Sequence, residues 1–262
     1  MTLFLQLFLA HIIGDFFLQP SGWVLKKEAR KWASFYLYLH AAVHFLLLLL
    51  FTGVMKQNRG FDLGILLGFW LPALVIAVLH LVIDGCKLQF QTARTKRTWF
   101  FADQLMHLGV IFGVWIWIEK ISLDPAMLSN VGLLAPLTAI LFMLKPTSLI
   151  IRIVISKWQP GGAIVHTPLE TDITGSNTGA TNASLENAGE LIGMLERLII
   201  IIFILLGKWE GVGFLLAAKS VFRFGDLREA RDRKLTEYVL IGTLLSFGIA
   251  IITGIVTVRL LS

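Results

Sequence analysis

The feature that most constrains this chain is a series of apolar runs long enough to cross a lipid bilayer. Residues 35–55 and 63–83 contain no Asp, Glu, Lys or Arg. A helix needs about 20 apolar residues to span the hydrocarbon layer. Such runs are too long and too continuous for the alternating strands of a membrane barrel. Only helices and closed barrels satisfy the backbone in lipid, so the chain reads as an all-α, polytopic integral membrane helix bundle. Composition agrees: 56% of residues are hydrophobic and 15% are charged, with a mean hydropathy of +0.77. A soluble domain carries about 25% charge. The net charge of +6 fits basic loops beside an anionic leaflet, and excludes nothing but makes nucleic acid an unneeded partner. The single cysteine, Cys86, rules out an intramolecular disulfide.

The apolar pattern predicts spans over 2–19, 34–54, 63–83, 99–118, 126–144, 190–207, 211–224 and 237–258, with 211–224 the shortest. That makes seven or eight transmembrane helices. The first run lacks the basic n-region of a signal peptide and is expected to stay as a helix. Trp115 and Trp117 suit an interface at the far end of the fourth span. Residues 147–158 alternate apolar side chains with Arg152 and Lys157, the pattern of an interfacial amphipathic helix. Residues 159–188 are rich in Gly, Thr, Asn and Ser and form a flexible polar linker. They separate an N-terminal bundle, 1–158, from C-terminal helices, 189–262. Lys26, Lys27, Arg30 and Lys31 follow the first span, and Lys87, Arg94, Lys96 and Arg97 follow the third. The positive-inside rule puts these loops in the cytoplasm and the N-terminus outside.

Against this background four polar pairs recur at a spacing of i, i+4: His11/Asp15, His40/His44, His80/Asp84 and Asp103/His107. Residues four apart lie on one helix face. Ionisable groups at membrane depth are costly unless they bind something. With the topology above, all four pairs fall towards the cytoplasmic ends of spans one to four, although the loop charges were counted without them. Imidazole with carboxylate suits zinc, with manganese or iron as the other options. Eight candidate ligands exceed the four of a single tetrahedral zinc. Either two divalent ions lie close together, or some of the eight orient the rest through hydrogen bonds. Gln19, Gln104 and Lys87 are expected as such orienting groups or as substrate contacts. Asp84 and Asp15 are the candidate general bases. A metal-free proton or ion relay and a structural polar core are the other two readings of the cluster.

The second half adds charge within its apolar runs. Lys219 and Arg223 share a helix face and are read as a clamp for a headgroup phosphate, or as structural or snorkelling cations. Glu196, Arg197 and Glu237 are expected to form an ion-pair network, with Glu196 or Glu237 meeting Arg223 or Arg197.

A metal site at headgroup level implies an amphiphilic substrate such as a phospholipid or a polyprenyl phosphate. The expected function is that of a cytoplasmic-membrane hydrolase or transferase, dependent on a divalent metal and acting on a lipid-linked phosphate or ester. The alternatives are a divalent-metal or proton transporter, and an assembly or sensory subunit whose metal is structural. Transport favours ligands near the bilayer midplane and a polar path outward, whereas these ligands cluster at one end.

Several motifs carry a resemblance. They are His11-x-x-Gly14-Asp15-Phe16-x-x-Gln19, His80-Leu81-x-Ile83-Asp84-x-x-Lys87 and Asp103-Gln104-x-x-His107, followed by Ile192-Gly193-x-Leu195-Glu196-Arg197, Ala217-Ala218-Lys219-Ser220-x-x-Arg223-Phe224 and Glu237-Tyr238-x-Leu240-Ile241-Gly242-Thr243. Together, and over nearly the whole chain, they resemble the bacterial membrane family known as domain of unknown function 3307. The resemblance implies a bacterial inner-membrane protein and marks which residues matter, without implying an activity. More loosely, the intramembrane His/Asp motifs look like those of bacterial membrane-bound metal-dependent hydrolases.

Overall fold

The backbone of residues 1–55, 63–92, 94–119, 132–158, 177–227 and 233–262 is described by a computed structural model. Side chains at 53–55, 63–67, 157, 177–188, 222–227 and 233–236 lie outside the described set. Every regular element among the described residues is helical. The chain divides into two compact units, Met1–Leu134 and Ala135–Ser262. The amphipathic stretch grouped by sequence with the N-terminal bundle therefore belongs to the second unit.

The first unit comprises α1 (Thr2–Phe16), α2 (Ser21–Arg30), a 3-10 turn (Lys31–Ala33), α3 (Phe35–Met55), α4 (Leu63–Phe90) and α5 (Lys96–Glu119). The end of α1 falls at Phe16 and not at Gln19. Pro20 has no N–H to continue the ladder and disfavours helix in the residue before it. The chain bends by 81° there and enters α2, where the sequence suggested a basic loop. The residues 23–30 are mostly good helix formers.

The fourth helix runs to Phe90, about two turns past the expected end at Ile83. His80, Asp84 and Lys87 consequently share one face at i, i+4 and i+7. Pro72 lies inside α4 without ending it. At one end of the unit Leu3, Leu7, Leu48, Phe69, Ile76 and Ile111 form an apolar core. Trp115 belongs to that core, only 6% exposed, with its ring 5.5 Å from those of Phe4 and Phe112. It sits four residues past Ile111 and eight past His107, on the inward face, which is why it is not the interfacial anchor expected. Trp117 is exposed.

The second unit comprises α6 (Leu134–Met143), α7 (Lys145–Ile155) running into a 3-10 turn (Ser156–Trp158), α8 (Asn177–Leu205), α9 (Trp209–Leu227) and α10 (Arg233–Leu261). The first two form a pair bent by 40°, and α7 is the amphipathic helix the sequence predicts. The beginning of α8 at Asn177 corrects the linker. Residues 177–188 are helical, since Ala180, Ala183, Leu185, Glu186 and Ala188 favour helix and extend a long apolar one without a new nucleation cost. Residues 159–176, with His166, and residues 126–131 lie outside the described set. Between α8 and α9, Gly207 takes a positive φ of 70° and the Lys208 N–H bonds the Phe203 carbonyl at 2.7 Å. That is a glycine-terminated C-cap. Ile200, Ile201 and Ile204 of α8 pack with Val212, Phe247 and Ala250.

Among the described residues, four helices are individually long and apolar enough to cross a membrane: Phe35–Thr52, Gly68–Phe90, Lys96–Glu119 and Glu237–Leu261. The two bent pairs bring the count to six. The sequence count of seven or eight also included 190–207 and 211–224, where the fully described stretches of α8 and α9 are shorter than a span.

Candidate metal centre

Four helices each bring two polar side chains to one place: His11 and Asp15 from α1, His40 and His44 from α3, His80 and Asp84 from α4, Asp103 and His107 from α5. All are buried except Asp15, whose side chain is 11% exposed. At the middle stands Asp15. Its Oδ1 lies 2.9 Å from His44 Nε2, 3.2 Å from His40 Nε2 and 3.5 Å from His80 Nε2. The Nε2 atoms of His40 and His80 are 3.1 Å apart. His11 Nε2 is 3.8 Å from Asp15 Oδ2. The imidazoles form a continuous layer, with ring centres 3.9 Å apart for both His44–His80 and His80–His107.

Glycines beside the two aspartates permit this crowding. A Cβ on Gly14 would collide with the His44 ring, and one on Gly85 would collide with the Trp32 ring. Both collisions fall on rigid aromatic side chains. Gly14 therefore lets α1 and α3 close on the ligands, and Gly85 seats the turn after α2 against α4.

The surrounding hydrogen bonds fix the carboxylates. Gln104 Nε2 donates to Asp15 Oδ2 and to Asp103 Oδ2, both at 3.2 Å. Lys87 Nζ donates to Asp103 Oδ2 at 2.8 Å. Both are expected orienting groups. Gln19 lies in the bend after α1, half-buried, beyond the helix that carries His11 and Asp15. One residue was missed by sequence reasoning. Lys27 of α2 is only 4% exposed and donates to Asp84 Oδ2 at 2.8 Å. It reads as one of four loop lysines and arginines, and no local signal separates it from Lys26. Its burial depends on the 81° bend.

The residues fit a transition-metal ion on three counts. Donors held ~2.0–2.2 Å from one tetrahedral ion stand about 3.3–3.6 Å apart, close to the separations around Asp15 Oδ1. Three sets of donor atoms lie within 4.8 Å of one another: His11, Asp15, His44 and His80; His40, His80 and Asp84; and Asp84, Asp103 and His107. The first two share His80 and the last two share Asp84, an arrangement suited to neighbouring ions. Finally, both ring nitrogens of His107, His40 Nδ1 and Asp103 Oδ1 are buried without a hydrogen-bond partner. Such orphans are rare in folded proteins, and an ion, a ligand or a water would satisfy them.

A small cavity lies against His11, His44, His80 and His107. Leu7, Leu48, Ile76 and Ile111 close its other side. Each is four residues from one of these histidines, one turn deeper on the same helix. Beyond the imidazole layer the buried side chains are mainly apolar, with Gln6 and Thr52 the polar exceptions among the described residues.

In the second unit the charged residues distribute differently. The Lys219 ammonium pairs with the Glu196 carboxylate and lies 5.6 Å over the Phe247 ring. Arg197, 3% exposed, bonds the Met143 carbonyl through Nε at 2.8 Å and Ser148 Oγ through Nη2 at 2.6 Å. Its Nη1 reaches Ser246 Oγ at 3.2 Å. Arg197 thus meets the break between α6 and α7 and not the expected carboxylate. Glu237 opens the apolar part of α10, exposed, and the Arg223 side chain lies outside the described residues.

A family model described as Protein of unknown function (DUF3307) matches residues 3–135. No curated protein and no solved structure matches the chain. The matched stretch holds all eight candidate ligands and Lys27, Lys87 and Gln104. The motifs around Glu196, Lys219 and Glu237 fall beyond it, so the family likeness is a property of the first unit. The match runs almost from end to end of that unit and takes in just over half of the chain's 262 residues, so this chain belongs to the DUF3307 family.

Proposed function

We propose that this protein is a metal-dependent hydrolase or transferase of the bacterial cytoplasmic membrane. Its substrate is a lipid-linked phosphate or ester at the inner headgroup level, and its N-terminus lies outside. One observation carries the reading: Asp15 Oδ1 has three imidazole nitrogens within 3.5 Å. Among the described residues the ion pairs of Asp15 are all with histidines. A buried carboxylate ringed by imidazoles needs a cation, and a divalent ion satisfies carboxylate and imidazoles together.

When bound, such an ion supplies Lewis acidity and an activated water. Asp15, His44 and His80 would hold it, with His11 or His40 completing the set. His107 and Asp84 stand on the far side of His80. Asp84 Oδ1 lies 4.0 Å from His107 Nε2, and Lys27 holds its other oxygen at 2.8 Å. Gln104 keeps Asp15 and Asp103 in register. The apolar closure beyond the histidines favours chemistry at one face over passage through the bundle, which needs polar groups along its length.

The test is elemental analysis of detergent-purified protein, with wild type beside monodisperse His80→Ala and His44→Ala. One or two equivalents of zinc, manganese or iron in wild type, reduced at least about tenfold in affinity in the variants, is the expected result. No metal in wild type after reloading would sink the reading, and the cluster would then be a proton relay or polar core.

A further inference from the structure

Two ammonium groups enter the centre from its basic rim. Lys27 is buried on a helix whose Lys26 and Arg30 are exposed. Lys87 lies one turn beyond Asp84 on α4, with its side chain 23% exposed. Each donates a 2.8 Å bond to a carboxylate of the cluster, Lys27 to Asp84 and Lys87 to Asp103. Burying a lysine costs hydration and rotamer freedom, so it persists only where it meets negative charge.

We propose that Lys27 and Lys87 are the anion-binding pair of this centre and select a phosphate-bearing ligand over a neutral ester. The inference rests on the metal reading above. Asp15, Asp84 and Asp103 bring three negative charges and the two lysines bring two positive ones. A single divalent ion makes the pocket net positive, and a second makes it more so. A neutral ester would leave that charge uncompensated in a largely buried site, whereas a phosphate group balances it. Lysine binds phosphate as a compact point charge with three donors. Beside Lys87, Asp103 Oδ1 and both nitrogens of His107 lack partners, so a His107 N–H is available to donate to a phosphoryl oxygen and Asp103 Oδ1 to accept from an attached hydroxyl.

The experiment measures binding of two probes to the full-length, detergent-purified protein. Inorganic phosphate is titrated by calorimetry, and phosphatidic acid is titrated in mixed micelles of neutral detergent. Wild type, Lys27→Met, Lys87→Met and Lys27→Arg are compared, with metal content measured on each sample. The expected result is binding of at least one probe, weakened about tenfold or more in both Met variants, with metal retained and Lys27→Arg close to wild type. Binding of phosphatidic acid without competition by phosphate identifies a lipid source; equal binding of both identifies the phosphate group alone. If Lys27→Met fails to stay monodisperse, Lys87→Met, at a side chain 23% exposed against 5% for Lys27, carries the comparison. Unchanged affinity in the Met variants, or no binding of either probe to wild type, overturns the proposal. So does loss of metal in the lysine variants, which would make the lysines supports of the metal site. Absence of metal from wild type overturns the metal reading separately. Lysine-dependent phosphate binding in that metal-free protein would still support the anion pair.

Discussion

Gly14 is the residue on which the packing of the centre turns. It sits beside Asp15 on α1, and its missing side chain is the space that the His44 imidazole fills. Gly14→Ala is expected to push His44 off Asp15, lowering metal affinity about tenfold or more and stability by about 1–3 kcal/mol. Gly113→Ala is the control. A Cβ there meets nothing within 4 Å, and alanine is the better helix former by about 0.5–1 kcal/mol. Metal titration and thermal unfolding of both variants check this, and equal behaviour of the two would refute the packing role of Gly14. The eight candidate ligands were legible at this scale, because ionisable pairs at i, i+4 stand out in apolar runs where a charge is costly. Lys27 was not. A lysine in a basic stretch looks the same whether it faces solvent or Asp84, and only a tertiary contact tells the two apart.

Among the elements, the two breaks matter most. Pro20 ends α1 early and sends α2 across the end of the bundle, which is how a residue of an apparent loop comes to touch α4. The break between α6 and α7 is held by Arg197. Its guanidinium bonds the Met143 carbonyl and the Ser148 and Ser246 hydroxyls. Arg197→Met leaves those groups buried without a donor and is expected to destabilise the protein by about 2–3 kcal/mol. Arg197→Lys recovers little, since an ammonium lacks the planar fork that reaches three sites. Metal content is expected to stay at the wild-type level in both variants, because every proposed ligand belongs to the first unit. Thermal unfolding with parallel elemental analysis reads out both halves, and a wild-type midpoint for Arg197→Met would reject the staple. Helix existence was legible from hydropathy in every described span. The helical state of 177–188 was not, because Gly, Thr, Asn and Ser there mask a run of adequate helix formers that an adjoining apolar helix can extend.

At the scale of the whole molecule the open question is orientation in the bilayer. Lys26 is exposed on α2, next to the buried Lys27, with its ammonium 3.0 Å from the Tyr36 hydroxyl. In a Cys86→Ser background, Lys26→Cys is expected to react with a membrane-impermeant maleimide in inverted vesicles and to be shielded in right-side-out ones. The reverse pattern would put the centre on the outer face and invert the topology drawn from the basic loops. The same result bears on the proposed substrate, since it decides which leaflet would present lipid to Asp15 and Lys87.

The sequence by itself determined that the chain is an all-α membrane protein with a one-sided cluster of histidines and aspartates. Both conclusions rest on local rules: the run length a bilayer demands, the 3.6-residue period, and the cost of a charge in lipid. Only the tertiary structure decided that the four pairs share donors around Asp15 and His80. It also decided that Lys27 and Lys87 hold Asp84 and Asp103, that Lys219 is engaged by Glu196, and that Arg197 meets carbonyls instead of a carboxylate. Those outcomes depend on which faces meet and how closely. The spaces left by Gly14 and Gly85 and the bend at Pro20 fix that between helices distant in sequence, where periodicity carries no information.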